Sequence, residues 1–345
     1  MSAMQMRQVV IRAPNRFEVE TASRPELQSS GDVLLRTAAC GICSGDLMEW
    51  YLEKKIGGVL GHEVVGWVDE AGADAPFQAG ELVFVHHHAP CMNCRWCRRG
   101  LYVHCPGWRR SNIDPGGMAE FVRVPREIAS VDAFPIPDLD PLVGLFIEPL
   151  ACSLKCLSNA SPAAERVVVV GCGVMGLLNI QAARAQGAKE VWGVEPDPVR
   201  RESAKRMGAD RVLSPDEMKL LVEGGGFDGA DHVVVGPGSP EAIEQSTSYV
   251  RSGGDLILFT PTPTGVRTSL DLGDLYFREV RLVPSYSCGP VDTRRAYGLL
   301  RTGRVDPRPI VTHRFPIEQV QRAYNTAKAG GAALKVVVEF PDAKS

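Results

Sequence analysis

The chain reads as an α/β protein in which a β-rich, irregular domain flanks a doubly wound parallel sheet, and three observations predict this. Its 345 residues are enough for two domains of roughly 150 residues each. From Met4 to about Leu150, short β-type runs such as Val33 to Thr37, Val64 to Val68 and Leu82 to Val85 alternate with loops rich in Gly and Pro. From Arg166 the texture changes to apolar strands of buried parallel type at Val167 to Val170, Val191 to Val194, Asp231 to Val235 and Asp255 to Phe259. Helical stretches separate them, which predicts a parallel sheet of about six strands. Tyr297 to Arg301 and Ile317 to Ala329 then read as helices, and Leu334 to Phe340 as a strand returning to the first domain. The expected domains are residues 1–150, 151–284 and 285–345, the last rejoining the first.

Composition bounds the function. With 38 basic and 41 acidic residues the chain has no charge excess to recruit nucleic acid or an anionic membrane, so its expected partners are small molecules. The charge-free run from Val167 to Ala183 nears membrane-span length, but Gly171, Gly173 and Gly176 make it strand, turn and helix. The stretch from Met1 to Glu20 lacks the apolar core of a secretory signal, so the ten cysteines are expected in a reducing cytoplasm.

Four of those cysteines, Cys91, Cys94, Cys97 and Cys105, follow the pattern C-x2-C-x2-C-x7-C. Two-residue spacings let one tight loop aim successive thiolates at a single ion, and the distant fourth closes the tetrahedron of a structural zinc site. Two disulfides would need an oxidising compartment. Cys40, Cys152, Cys156, Cys172 and Cys288 read as small buried apolar residues.

The run Val167-Val-Val-Val-Gly171-Cys-Gly173-Val174-Met175-Gly176 is G-x-G-x-x-G between a strand and a helix, the setting of a Rossmann dinucleotide site. Gly171 permits the tight turn, Gly173 lets the backbone approach a pyrophosphate and Gly176 lets helix and strand pack closely, while Val174 and Met175 open the helix that faces the anion. Glu195 ends the next strand, 24 residues after Gly171, where a carboxylate accepts from ribose hydroxyls and repels a 2′-phosphate. This favours NAD over NADP. Arg200 and Arg201 temper that choice, because an arginine can accept the extra phosphate.

Upstream, Cys43-Ser-Gly-Asp46, Gly61-His62-Glu63 and Glu148-Pro-Leu each contribute one candidate zinc ligand. Read singly, they fit a buried thiol, a core histidine and an acid at a helix start. Together with the nucleotide site they point to a metal. In this order, with the four-cysteine cluster and the glycine motif, they resemble the zinc-containing medium-chain dehydrogenases, the superfamily of alcohol, polyol and threonine dehydrogenases. The resemblance covers nearly the whole chain. It implies a GroES-like β-rich catalytic domain around a Rossmann domain, a site in the cleft between them, two zinc ions per chain, and a homodimer or homotetramer. It also implies that Cys43, His62 and Glu148 bind a catalytic zinc, with the fourth position open or taken at times by Glu63. Asp46 would orient His62 and pair with Lys335. One thiolate, one imidazole and one carboxylate neutralise Zn²⁺ on paper, and an open position makes the ion a Lewis acid.

Two departures from the family pattern bear on proton transfer. Gly45 and Met48 stand where the family has a hydroxyl residue and often a histidine, its relay to solvent, and the hydroxyl has moved to Ser44. Glu63, Glu49 or the triplet His86, His87 and His88 then offers another path. By the resemblance His87 lines the substrate pocket, and histidine titrates near neutrality. The leading reading is NAD-dependent oxidation of a secondary alcohol in a polyol, sugar or cyclitol, or the reverse. A relay-lacking reductase of conjugated alkenes or imines is the alternative. A non-catalytic nucleotide-binding protein is the third class, which the three retained ligands argue against.

Overall fold

The computed structural model describes residues 4–161 and 164–340. They form two compact units: one runs to Glu148 and resumes at Cys288, the other is Pro149–Ser287.

The first unit is built on a seven-stranded sheet in the order Val311–Pro316, Lys335–Glu339, Val33–Gly41, Glu63–Ala71, Leu82–Val85 and Ala133–Pro135, with Phe121–Val124 pairing a second stretch of Val33–Gly41. A separate antiparallel pair, Gln5–Ala13 and Arg16–Ser23, completes it. Val33–Gly41 is the hub. Most of its residues are buried, and it pairs antiparallel with three other strands. Val9, Ile11, Val33, Leu35, Val64, Val83, Val122 and Val336 share one core, and each such β-branched or leucine side chain contributes about 1.5–3 kcal/mol on burial. The predicted closing strand lies within this sheet, with Val337 opposite Gly41 and Val338 opposite Cys40.

The second unit carries a six-stranded, all-parallel sheet in the order Arg211–Leu213, Glu190–Val194, Arg166–Val170, Ala230–Val235, Val250–Leu258 and Arg281–Pro284. This is the 3-2-1-4-5-6 order of a Rossmann sheet, whose ligand crevice opens beside the first strand where the order reverses. Val167, Val168, Val169, Val233 and Val234 are at most 1% exposed, which explains why these strands read as unbroken apolar runs. Three helices start with a capping side chain followed by proline: Asp197 before Pro198–Arg206, Ser214 before Pro215–Glu223, and Ser239 before Pro240–Ser246. The strand expected from Asp255 begins earlier, at Val250, and passes through Gly253 at φ 74° with a register shift against its neighbour. Likewise the helix expected from Tyr297 begins at Pro290, whose fixed φ suits a first turn.

Among the described residues one helical stretch, Pro141–Ser158, is long and apolar enough to cross a membrane, with mean hydropathy 1.4. Two thirds of it, 67%, is buried inside the protein, as in a core helix.

Candidate active site

The four cysteines of the loop meet. The sulfur atoms of Cys91, Cys94, Cys97 and Cys105 lie within 4.8 Å of one another. Sγ of Cys97 is 3.5 Å from that of Cys94 and 4.0 Å from that of Cys91, against roughly 3.8 Å for two thiolates on a tetrahedral zinc. Burial opposes a thiolate at Cys105, but the N–H groups of Cys91, Trp108 and Gly107 outweigh it and bring the thiol down to about 6. Burial and the neighbouring sulfurs push Cys97 up to about 12. Four thiolates therefore need a cation to coexist, and the donor set fits zinc.

A second group forms where the hub strand ends. Cys43 follows Val33–Gly41 and caps the short turn Ser44–Leu47, its Sγ accepting from the N–H of Gly45 at 3.4 Å. His62 precedes the strand Glu63–Ala71, and the donors of Cys43, His62 and Glu63 lie within 4.8 Å of one another. Glu63 is opposite Gly41 in the ladder, and a Cβ on Gly41 would collide with the Glu63 carboxylate. A side chain at Gly41 would push that carboxylate out of its place. Asp46 is buried with Oδ2 3.6 Å from Nδ1 of His62. Burial opposes charge on His62, yet Asp46, Cys43 and Glu148 together hold its pKa well above the usual value. Burial also pushes the Cys43 thiol up.

Lys335 is 2% exposed and donates to Oε2 of Glu63 at 2.5 Å and to the carbonyl of Ile42 at 3.2 Å. The pairing expected between Asp46 and Lys335 is thus made by Glu63. The ladder sets the start: Val337 is opposite Gly41 and the N–H of Ile42 bonds the carbonyl of Val336, so Lys335 lies two positions before Val337, and its long side chain reaches Glu63, the register partner of Gly41. Oε1 of Glu63 and both carboxylate oxygens of Asp46 are buried without a hydrogen-bond partner. Orphaned carboxylate oxygens beside a thiol and an imidazole are the arrangement a zinc ion would satisfy.

Glu148 opens the helix Ile147–Ser158 and is 5% exposed. It gathers with His86 and Cys288 rather than with Cys43 and His62, although its charge still reaches His62. The ring of His87 sits between the two groups, its centroid 5.0 Å from that of His62 and 4.9 Å from that of His86. Its Nδ1 is buried without a partner. Burial, with His86, His62 and His88 around it, pushes its pKa well below the usual value, so the imidazole is neutral. The expected ionisation of His87 near neutrality is corrected by this crowding. Of the other proton acceptors considered, Glu49 is committed to Lys328 at 2.8 Å on an exposed surface.

In the second unit, Gly171 follows the strand Arg166–Val170 at φ 83°, a turn that glycine makes without strain. A Cβ on Gly176 would collide with the carbonyl of Gly171, whereas at Gly173 it would meet only Nη1 of Arg200, 4.0 Å away. The backbone at Gly173 is therefore bare where a pyrophosphate would approach the N-terminus of Val174–Ala185. Glu195 is buried and accepts from the N–H groups of Cys172 at 2.7 Å and Asp197 at 3.0 Å. Each of its oxygens keeps a lone pair for a ribose hydroxyl. Arg201 bonds the carbonyls of Glu195 and Pro196, and the guanidinium of Arg200 lies over the glycine turn at Gly173.

Residues 29–138 match the family of alcohol dehydrogenase GroES-like domains, and residues 174–302 the zinc-binding dehydrogenase family. The L-threonine 3-dehydrogenase of Pyrococcus abyssi is 31% identical over 87% of this chain and 89% of its own. The chain belongs to the zinc-containing medium-chain dehydrogenases. This medium-chain dehydrogenase is also similar to an erythritol/L-threitol dehydrogenase of Mycolicibacterium smegmatis, 29% identical over 96% of both chains. Among solved structures, a zinc-binding dehydrogenase of Sinorhizobium meliloti bound to NADP superposes with TM-score 0.86, 30% identity and 98% and 100% of the two chains covered. The alcohol dehydrogenase of Thermus sp. ATN1 gives TM-score 0.84 at 27% identity over 97% and 99%. The dehydrogenase is thus an oxidoreductase that works with zinc and a nicotinamide cofactor.

The sequence reading missed the joining of Cys288, His86, Asp132 and Thr293. Its one local signal is a charged residue, Asp132, inside an otherwise apolar run from Val131 to Phe134.

Proposed function

We propose that the protein oxidises a secondary alcohol of a polyol, sugar or cyclitol to the ketone with NAD, or runs the reverse reaction. The observation that carries this reading is the group of Cys43, His62 and Glu63, with Oε1 of Glu63 buried and unbonded while Lys335 holds Oε2. Those residues would hold the catalytic zinc, which supplies a Lewis acid for the alcohol oxygen. Oδ2 of Asp46 stands 3.6 Å from Nδ1 of His62, which leaves the other ring nitrogen to face the metal. The buried carboxylates and imidazoles favour a hydroxyl-rich substrate over an alkanol, in line with the polyol named for the Mycolicibacterium relative. His87, neutral and with an unpartnered Nδ1, is suited to hydrogen-bond a substrate hydroxyl. Because Gly45 and Met48 carry no exchangeable side-chain proton, the alcohol proton leaves by solvent or by a neighbouring carboxylate. Reduction of a conjugated alkene or imine is the second reading, favoured by that same missing relay.

The cofactor would lie against Gly171, Gly173 and Gly176 with its ribose at Glu195. NAD is the proposed cofactor, and Arg200 is the residue through which NADP would compete. We place the protein in the cytoplasm as a homodimer or homotetramer. An apolar face supports self-association: Leu272, Tyr276 and Phe277 are 71%, 76% and 86% exposed, in the unit whose sheet ends at the edge strand Arg281–Pro284.

The test is turnover of a polyol and cyclitol panel, read as NADH absorbance with NADP as the control. Oxidation of several vicinal diols supports the reading. Activity confined to reduction of conjugated alkenes or imines would replace it with the second.

A further inference from the structure

We propose that His86, Glu148 and Cys288 form a further metal site in the first unit, separate from the Cys43 group and the four-cysteine loop, and suited to Zn²⁺ or a similar borderline ion. Their imidazole nitrogen, carboxylate oxygen and sulfur lie within 4.8 Å of one another, and all three residues are buried. Nε2 of His86 is 3.7 Å from Sγ of Cys288. Two ligands of a tetrahedral zinc, one nitrogen and one thiolate, stand roughly 3.6 Å apart.

The surroundings orient the donors. Nδ1 of His86 is 2.8 Å from Oδ2 of Asp132, and Oδ1 of Asp132 accepts from the hydroxyl of Thr293 at 2.6 Å. His86, Asp132 and Thr293 are completely buried. With its Nδ1–H given to a carboxylate, the imidazole must aim the lone pair of Nε2 at the sulfur, the outer bond that metal-ligating histidines make. Cys288 immediately precedes Gly289, the cap of the twelve-residue helix Pro290–Arg301, and a helix N-terminus favours thiolate over thiol. A thiolate and a carboxylate neutralise a divalent ion, while the imidazole adds no charge.

The donors come from distant parts of the chain. Cys288 is 202 residues from His86 and 140 from Glu148. An ion here would tie the closing segment of the unit to its opening one, as structural metals do in place of a larger core. The competing account is a metal-free S–H···N hydrogen bond between Cys288 and His86, which needs no third donor.

The experiment is metal content by mass spectrometry of protein loaded with zinc and dialysed, for wild type, Cys288→Ser, His86→Gln and His62→Ala. Three equivalents are expected in wild type and two in each variant. Loss on Cys288→Ser with none on His62→Ala would still establish this site while refuting the catalytic zinc proposed above. Two equivalents in wild type would overturn it where Cys288→Ser leaves both in place, or where Cys288→Ser and His62→Ala each drop the count to one, a single shared ion. Asp132→Asn keeps every donor and should weaken zinc retention at this site against a chelator by roughly 10- to 100-fold; unchanged retention counts against it. Should Cys288→Ser fail to fold, His86→Gln decides in its place: one equivalent lost upholds the site and none lost refutes it.

Discussion

Lys335 and Glu63 form an ion pair sealed from solvent, their side chains 2% and 1% exposed and Nζ 2.5 Å from Oε2. They come from strands on either side of the hub strand, so the pair binds sheet and metal site at once. Burial opposes charge on Lys335, and Glu63 with Cys43 restores it, raising the amine above its usual pKa. Lys335→Met should cost about 3–5 kcal/mol, because it leaves a buried carboxylate uncompensated. The double variant with Glu63→Gln should recover much of that loss, a coupling that a denaturant-unfolding cycle measures. Additive losses would show that the pair does not act as a unit.

The two zinc groups proposed from the cysteine loop and from Cys43 should separate by phenotype. Cys94→Ser removes a ligand from a site coupled to folding, and protein yield and thermal midpoint should fall together. His62→Ala should abolish turnover while the far-ultraviolet dichroism stays as in wild type. An active His62→Ala enzyme would refute the site.

Cofactor preference should move through Glu195 and Arg200 in opposite directions. Glu195→Ala relieves repulsion of a 2′-phosphate and should shift the NAD to NADP ratio of kcat/KM toward NADP by about a decade. It also strips an acceptor from the N–H groups of Cys172 and Asp197, so a loss of about 1–3 kcal/mol in stability accompanies it. Arg200→Ala should reduce NADP use. Equal ratios in all three proteins would show that neither residue sets the preference.

His88 makes stability depend on pH. Burial holds its pKa at about 4 against 6.5 in the unfolded chain, so the folded state carries it neutral, bonded to the carbonyl of Ser111. Its contribution is complete above pH 6.5 and is lost as pH falls from there toward 4, at up to about 1.4 kcal/mol per unit. His88→Asn should flatten that part of the profile in urea melts between pH 7 and 4.5. An unchanged slope would assign the acid sensitivity elsewhere.

His87 should act on binding rather than on proton transfer. With its pKa held well below the usual value, His87→Phe should raise KM for polyols severalfold and leave the pH dependence of kcat between 6 and 8 as it was. Loss of an ionisation near 6.5 would make it the general base after all.

What could be read in the chain was what is local. The four cysteines and the glycine turn each lie within fifteen residues or fewer, so spacing alone specifies their geometry. Alternation and unbroken valine runs announced the two sheets for the same reason. Cys43, His62 and Asp46 were named, and they meet. The neighbours of Glu148 and Lys335, by contrast, depend on register: a one-residue slip against Gly41 would turn Glu63 to the other face. Cys288 looked inert because nothing near it in sequence is chemical; its partner lies 202 residues away.

The closing strand has a consequence for synthesis. Residues 39–41 of the hub pair with Lys335–Glu339, so while a ribosome is still making the second unit this edge of the first has no partner. The amine that offsets Glu63 is also missing, since Lys335 lies 272 residues downstream. For most of translation the nascent first unit carries an unpaired strand edge and an uncompensated acid beside its metal ligands, a state in which early zinc capture at Cys43 and His62 would protect it until the last strand arrives.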